Sequence, residues 1–185
     1  MFTQKALTAV PAVLLTVALA GCGGATPTAI DPETPALART AAKSQRLVQR
    51  PITGHCETVL APIQVLRPGV VRQVDTGTCQ LSHLGRAEFT SDKVIQIAAG
   101  TQTTEATFTA ANGDILRAVG AGTSAPSGPG LVSFSATLTF VGGTGRFSHA
   151  TGQARVEGTA NMITRTASLK LDGWIAYDAS DRSGS

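Results

Sequence analysis

An alternation of apolar and hydroxyl side chains is the strongest structural signal in the sequence. In residues 132–140, Val-Ser-Phe-Ser-Ala-Thr-Leu-Thr-Phe, every second side chain is apolar. Successive side chains of a β-strand point to opposite faces, so this pattern predicts a strand with one dry face. Residues 154–162 and 167–177 repeat the alternation with mostly polar side chains opposite. One apolar and one polar face per strand is typical of antiparallel sheet.

Turn-forming residues separate these strands. Asn112-Gly113 lies between two alternating segments and predicts a hairpin with a type I′ turn. Residues 120–130, Gly-Ala-Gly-Thr-Ser-Ala-Pro-Ser-Gly-Pro-Gly, predict a longer flexible loop. No segment after residue 51 shows a helical period over ten residues. A long sheet with one dry face must close on itself or pack on a second sheet.

A family resemblance supports closure. Residues 140–147, Phe-Val-Gly-Gly-Thr-Gly-Arg-Phe, resemble a segment of allene oxide cyclase and dirigent-like barrels, and segments 77–90 and 108–114 resemble secreted bacterial relatives of that group. The resemblance implies an all-β fold: a closed, calycin-like antiparallel barrel of about eight strands over residues 51–178. It also implies a fold motif in which glycines permit positive φ angles and the arginine braces a turn. The motif comprises Gly142, Gly143, Thr144, Gly145, Arg146 and Phe147.

Composition excludes several classes of function. The formal net charge is +3, charged residues make up 15% and aromatic residues 4% of the chain, and no basic cluster interleaved with aromatic residues occurs. The sequence therefore does not predict nucleic-acid binding. It also lacks a Gly-x-Ser-x-Gly elbow, a phosphate-binding loop and a His-Glu-x-x-His motif. We therefore predict no cofactor and assign no catalytic residue.

Cys56 and Cys79 are the two cysteines of the predicted barrel. Thiols outside the cytoplasm tend to oxidise, so one interpretation is a disulfide, which would add roughly 3 kcal/mol through chain entropy. The alternative is a metal site that also uses His55 and His83. If the segment is extended, Cys79 and His83 lie about 13 Å apart, too far for two ligands of one ion. We therefore predict a Cys56–Cys79 disulfide and no metal site.

His83 is the candidate polar group of the barrel lumen. On a strand it would share a face with Ala87 and Phe89, which would point it inward if those residues face the core. Histidine titrates near neutral pH, so an inward His83 would line a pocket or transfer protons. The alternative is a hydrogen-bonded structural histidine. We favour this alternative because no carboxylate has a spacing that places it beside His83.

The N-terminus predicts export and a lipid anchor. Lys5 precedes an uncharged segment, residues 6–20, which is too short to span a bilayer but typical of a signal peptide. The end of this segment resembles the lipobox of bacterial lipoproteins in its four residues, Leu19, Ala20, Gly21 and Cys22. The resemblance implies a signal peptide over residues 1–21, which is removed, and acyl chains on Cys22. The alternative is an ordinary secretory signal that leaves Cys22 as a free thiol.

Residues 22–50 predict a lipidated, flexible tether, and residues 179–185 a disordered tail. Proline and glycine are frequent at the start of the tether, and four basic residues at its end would share one helical face: Arg39, Lys43, Arg46 and Arg50. This face would either contact anionic lipid headgroups or form the solvated end of a spacer. We favour the spacer, because only Leu47 and Val48 would anchor the opposite face.

These features together predict a lipid-anchored envelope protein facing the periplasm or the exterior. Gly23, rather than an aspartate, follows the predicted lipidated residue, which favours the outer membrane in a host that has one. The leading interpretation is a non-catalytic barrel that binds a small apolar ligand or an envelope partner, with residues 120–130 at the barrel mouth. The rival is a cyclase or isomerase resembling allene oxide cyclase. An inward carboxylate with a shifted pKa beside a cavity would favour the enzyme. A lumen packed solid with apolar side chains would instead favour a structural role or an interaction through the outer surface of the barrel.

Overall fold

The computed structural model describes residues 47–178, and within them the protein is almost entirely β-structure. The predicted signal peptide, Cys22, the basic positions 39–46 and the 179–185 tail lie outside the described residues. In the described part of the chain, no helix is long and apolar enough to cross a bilayer. The strands are β1 (Val48–Leu60), β2 (Gln64–Arg67), β3 (Val70–Leu81), β4 (Gly85–Gln96), β5 (Thr101–Ala110), β6 (Ile115–Gly128), β7 (Leu131–Gly143), β8 (Thr151–Asn161) and β9 (Thr166–Tyr177).

Eight of these strands form a closed antiparallel barrel, as the sequence predicts. Strands β3 to β9 pair in chain order, and β1 pairs with β9 on one side and with β3 on the other. The short strand β2 pairs with β3 alone, beyond the point where β1 ends. A closed barrel leaves no open edge in its wall, which protects its long strands from pairing with other chains.

The first strand begins earlier than the sequence indicates. β1 starts at Val48, so residues 48–50, which we assigned to the tether, belong to the barrel wall. Val48 lies opposite Tyr177 and Arg50 opposite Ile175 in the β1–β9 ladder. The residues Gln-Arg-Pro at 49–51 resemble a linker by composition, but all three lie in the ladder with β9.

The two ends of the barrel differ. One end, which we call the closed end, is formed by residues 82–84, 111–114 and 144–150 and is packed with fully buried side chains, including Ile52, Leu116, Phe147 and Ile175. The other end, which we call the open end, is formed by residues 61–69, 97–100, 129–130 and 162–165. The open end exposes large aliphatic side chains.

The predicted disulfide is confirmed and lies at the seam of the barrel. Cys56 of β1 and Cys79 of β3 are directly opposite each other, with their Cα atoms 3.9 Å apart and their sulfur atoms bonded. Both side chains are buried in the core. Because the bond consumes both thiols, the alternative metal site with His55 and His83 is wrong.

The Asn112-Gly113 hairpin is at the predicted position but has a different turn. Gly113 has a φ of +86°, whereas Asn112 has no positive φ, and the amide of Gly113 donates to the carbonyl of Ala110 over 2.9 Å. A type I′ turn requires positive φ at both central residues. The connection is therefore a turn over residues 111–112 followed by a left-handed glycine.

The predicted flexible loop at residues 120–130 is wrong. β6 continues to Gly128, and only Pro129 and Gly130 form the turn into β7. A Cβ atom on Gly120 or Gly122 would lie 2.4 or 2.2 Å from a carbonyl oxygen of β7. These glycines therefore permit two strands to approach closely, a role that composition alone does not distinguish from that of a loop.

The position of the disulfide predicts its contribution to stability. Replacing both residues, Cys56→Ala with Cys79→Ala, should lower the free energy of unfolding by about 3 kcal/mol, because the unfolded chain regains the freedom of the closed loop. Equilibrium urea unfolding measures this change, and reduction of the parent protein should reproduce it. A loss below about 1 kcal/mol would show that strand pairing alone holds the seam.

Candidate functional site

The open end leads into a cavity of about 150 Å³. Its outer wall is aliphatic, with Ile63, Ile97 and Met162 at the mouth. Lys93, Gln102 and Phe134 lie where this cavity meets a smaller inner cavity of about 30 Å³, which is the volume of one water molecule. Below this level the lumen is filled: the rings of Phe89 and Phe108 are 5.0 Å apart and both are buried. Among the described residues, the space inside the lumen therefore lies toward the open end.

The lumen has one polar wall. Six inward side chains of β3, β4 and β5 are polar, although the apolar Val71 and Ile95 lie above them at the open end: Gln73, Asp75, Ser91, Lys93, Gln102 and Thr104. Their neighbours across the lumen, on β7 to β9, are apolar: Phe134, Ala136, Leu138, Val156, Leu169 and Leu171. Strand register produces this wall, because Lys93 is opposite Gln73 on one side and Thr104 on the other. A ligand in the cavity would contact both kinds of surface.

An ion pair lies at the centre of the polar wall. The ammonium of Lys93 donates to Oδ2 of Asp75, and the two side chains are 12% and 4% exposed. Within the described residues, Oδ1 of Asp75 accepts no hydrogen bond. The Lys93 ammonium is also 5.8 Å from the centre of the Phe134 ring, close enough for a cation–π contact.

Burial raises the pKa of the Asp75 carboxyl above its ordinary value of 3.8. Lys93, through its charge and its hydrogen bond, and Ser91 act in the opposite direction without cancelling the effect of burial. A carboxylate in a poorly solvated site is destabilised relative to its neutral acid. Asp75 is thus an inward acid with a shifted pKa next to a cavity, which is the feature that favours the enzyme in our sequence interpretation.

Neither Asp75 nor Lys93 was singled out from the sequence. Polar residues interrupt the alternation in both strands, so the inward face is not evident from hydropathy. A usable signal was nevertheless present: once Ala87 and Phe89 define the inward face of β4, a period of two places Ser91 and Lys93 on the same face.

The structure places His83 in the turn between β3 and β4 rather than on a strand, so the possible lumen position that rests on strand alternation is wrong, whereas the structural histidine that we favoured is supported by a hydrogen bond. His83 has a φ of +69°, and its Nε2 is 3.0 Å from the carbonyl oxygen of Pro51. The left-handed residue reverses the chain direction, which removes the strand alternation on which the prediction relied. His55 and His149 are exposed.

Arg146 of the glycine-rich motif joins three connections at the closed end. Its Nη2 donates to the carbonyl oxygen of His83 over 3.0 Å, and its Nε is 3.6 Å from Oδ2 of Asp114. Its guanidinium lies 4.8 Å from the centre of the Phe147 ring. Arg146 therefore contacts one residue in each of the three connections, as expected of a side chain that braces the turn. These contacts are at the opposite end of the barrel from the cavity.

A second concave surface lies outside the barrel. This open groove of about 710 Å³ crosses the outer faces of β3 to β7 and is lined by threonine and valine side chains with the Arg72–Asp92 ion pair. Arg72, which donates from Nε to both oxygens of Asp92 over 2.8 and 3.0 Å, lowers the pKa of that carboxyl. The groove is shallow and exposed, so it suits a macromolecular partner better than a small ligand.

Comparison with protein-family models, with curated proteins and with solved structures yields no match for the chain. Among the described residues, no group of three or more histidine, cysteine, aspartate or glutamate side chains has the arrangement of a metal site. The open-end cavity and its polar wall are therefore the features from which a function is argued.

The buried ion pair predicts a characteristic pattern of stability. Lys93→Met should destabilise the protein by roughly 3–5 kcal/mol at neutral pH, because Asp75 then remains buried without a counter-charge. The raised pKa of the Asp75 carboxyl favours the folded state below pH 3.8, where this group is protonated. This contribution to stability is lost as the pH rises through the pKa that Asp75 has in the folded protein. The deficit of Lys93→Met should therefore shrink on acidification.

The double variant Lys93→Met with Asp75→Asn should recover most of the stability, since no buried charge is left unpaired. Urea unfolding at several pH values measures all three proteins. As a matched control, Arg72→Met breaks the exposed pair with Asp92 and should cost under about 1 kcal/mol. A double variant no more stable than Lys93→Met would show that the pair is not coupled.

Proposed function

We propose that this protein is a lipid-anchored envelope protein whose barrel binds one small, mainly apolar ligand at its open end without catalysis. The observation that carries the proposal is a cavity with an open mouth, an aliphatic wall and a polar inner end. Its volume of about 150 Å³ fits a single ring or the end of an acyl chain, since sites for drug-sized ligands begin near 300 Å³. The lipobox-like residues 19–22 support the anchor.

The polar wall restricts the chemistry of the ligand. The charge of Lys93 is already balanced by Asp75, so a second carboxylate at this depth would be buried without its own counter-ion. A neutral acceptor, such as a ketone, amide or ester carbonyl, would accept a hydrogen bond from Gln102 or Lys93 without that cost. The favoured ligand has a carbonyl that enters first and an apolar body that remains at the mouth.

Titration with methyl ketones of increasing chain length, monitored by native mass spectrometry, tests the proposal. The parent protein should bind one equivalent, and Met162→Trp, which fills the mouth, should weaken binding by at least roughly tenfold. Val141→Trp on the exposed outer wall is the matched control and should bind as the parent does. Fatty acids of equal length should bind more weakly at neutral pH. An absence of saturable ketone binding, or equal affinities for both tryptophan variants, would refute the proposal.

A second candidate, a cyclase or isomerase that acts inside the barrel, is favoured by the raised pKa of Asp75. A carboxyl group that holds a proton closer to neutral pH can donate it to a substrate. However, the inner cavity beside Asp75 has room for only one water molecule, so a substrate would reach this acid through that water. Conversion of a bound ketone or epoxide into an isomer by the parent, but not by Asp75→Asn, would support the enzyme over the binding module.

A further inference from the structure

Five large aliphatic side chains are exposed on the connections of the open end. They are Ile63 (46%), Val65 (74%), Leu66 (53%), Ile97 (60%) and Ile163 (76%), and we call them the open-end rim. The rim comes from three separate connections that surround one cavity mouth, of which Ile63 and Ile97 form part. Single exposed aliphatic residues are common on soluble proteins, but a cluster around one opening indicates a contact surface.

Hydrogen bonds in the turns hold the rim in place. The side-chain oxygen of Asn161 accepts from the amides of Ile163 and Thr164 over 2.9 and 3.1 Å, which fixes the tip of the β8–β9 turn. The amide of Ile97 donates to the carbonyl of Gly69 over 2.9 Å, which ties the β4–β5 connection to the β2–β3 turn. These aliphatic side chains are therefore presented by ordered turns, and a partner would not have to order the turns on binding.

The charges around the rim are of one sign. Residues 61–69, 97–100, 129–130 and 162–165 contain no aspartate or glutamate, and they contain the exposed residues Arg67 and Arg165. Aliphatic side chains that enter the headgroup layer, with arginines beside them to contact lipid phosphates, are the features of an interfacial membrane contact. A purely protein partner would not require this uniform sign.

The length of the preceding chain permits such a contact. β1 begins at the closed end, and the segment between Cys22 and Val48, about 25 residues, spans at most about 85 Å. A barrel strand of 12 or 13 residues spans about 40 Å. A chain held at Cys22 is therefore long enough for the opposite end of the barrel to reach the same membrane.

We propose that the open-end rim inserts into the headgroup region of a bilayer containing anionic lipid, so that the cavity mouth faces the membrane. This docking goes beyond the proposed ligand binding and requires neither a ligand nor the lipid on Cys22. It gives the barrel a fixed orientation on the membrane, which a flexible tether alone does not provide.

Flotation with lipid vesicles tests the docking without the anchor. The protein is residues 22–185 carrying Cys22→Ser, which removes the apolar segment 6–20 and the acylation site but retains every strand, the core and the disulfide. Vesicles contain equal parts of phosphatidylcholine and phosphatidylglycerol. Ile97→Ser with Ile163→Ser should weaken binding by at least roughly tenfold, because the apolar area that enters the bilayer is lost.

The control is Val119→Ser with Val141→Ser, which changes two exposed aliphatic side chains on the outer wall (43% and 53%) and should leave binding unchanged. Arg67→Gln with Arg165→Gln should weaken binding to these vesicles and have little effect with pure phosphatidylcholine. Thermal unfolding of each variant verifies that its barrel is intact.

Failure of this protein to float, or equal binding by the rim and control variants, would overturn the proposal. So would sedimentation as a dimer that only the rim variant dissociates, since the rim would then be covered by a second copy. Ketone binding is measured without vesicles, so it can succeed where docking fails.

Discussion

The structure depends on the position of β1 between β3 and β9. This one strand pairs with both, so its register determines which side chains of the neighbouring strands face the lumen. The Cys56–Cys79 bond lies in one of these two ladders and joins directly opposite residues, so a slip in that ladder would require the bond to break. The filled lower lumen, the polar wall and the cavity all lie inside the barrel that this strand closes.

The two ends of the barrel have different physical roles. At the closed end, Arg146 joins three connections above a packed aromatic and aliphatic core. At the open end, a costly buried ion pair is retained beside a cavity, although apolar residues would fill the same space with less desolvation. The densest packing is at one end, and the groups that suggest a function are toward the other.

The sequence predicted those elements whose alternation is uninterrupted. β7, β8 and β9 were correct because their apolar residues recur at nearly every second position, and the disulfide was correct because strand pairing places Cys56 directly opposite Cys79. The errors arose where a residue type has two roles. Gly120 and Gly122 allow close strand approach instead of forming a loop, and His83 has a left-handed backbone in a turn. Asp75 and Lys93 were missed because a strand with polar residues on its inward face has no apolar face to identify in the sequence. The strand register in the structure shows that both side chains face the lumen.

The pairing of the first strand with the last has a consequence for the order of events during synthesis. The ladder between β1 and β9 cannot form until Thr166–Tyr177 has left the ribosome, so the unfinished polypeptide holds β1 without this partner strand. Such non-local pairing is slow to form, because the chain must first close the long loop between the two strands. The barrel therefore acquires its final shape only after its last strand has been synthesised.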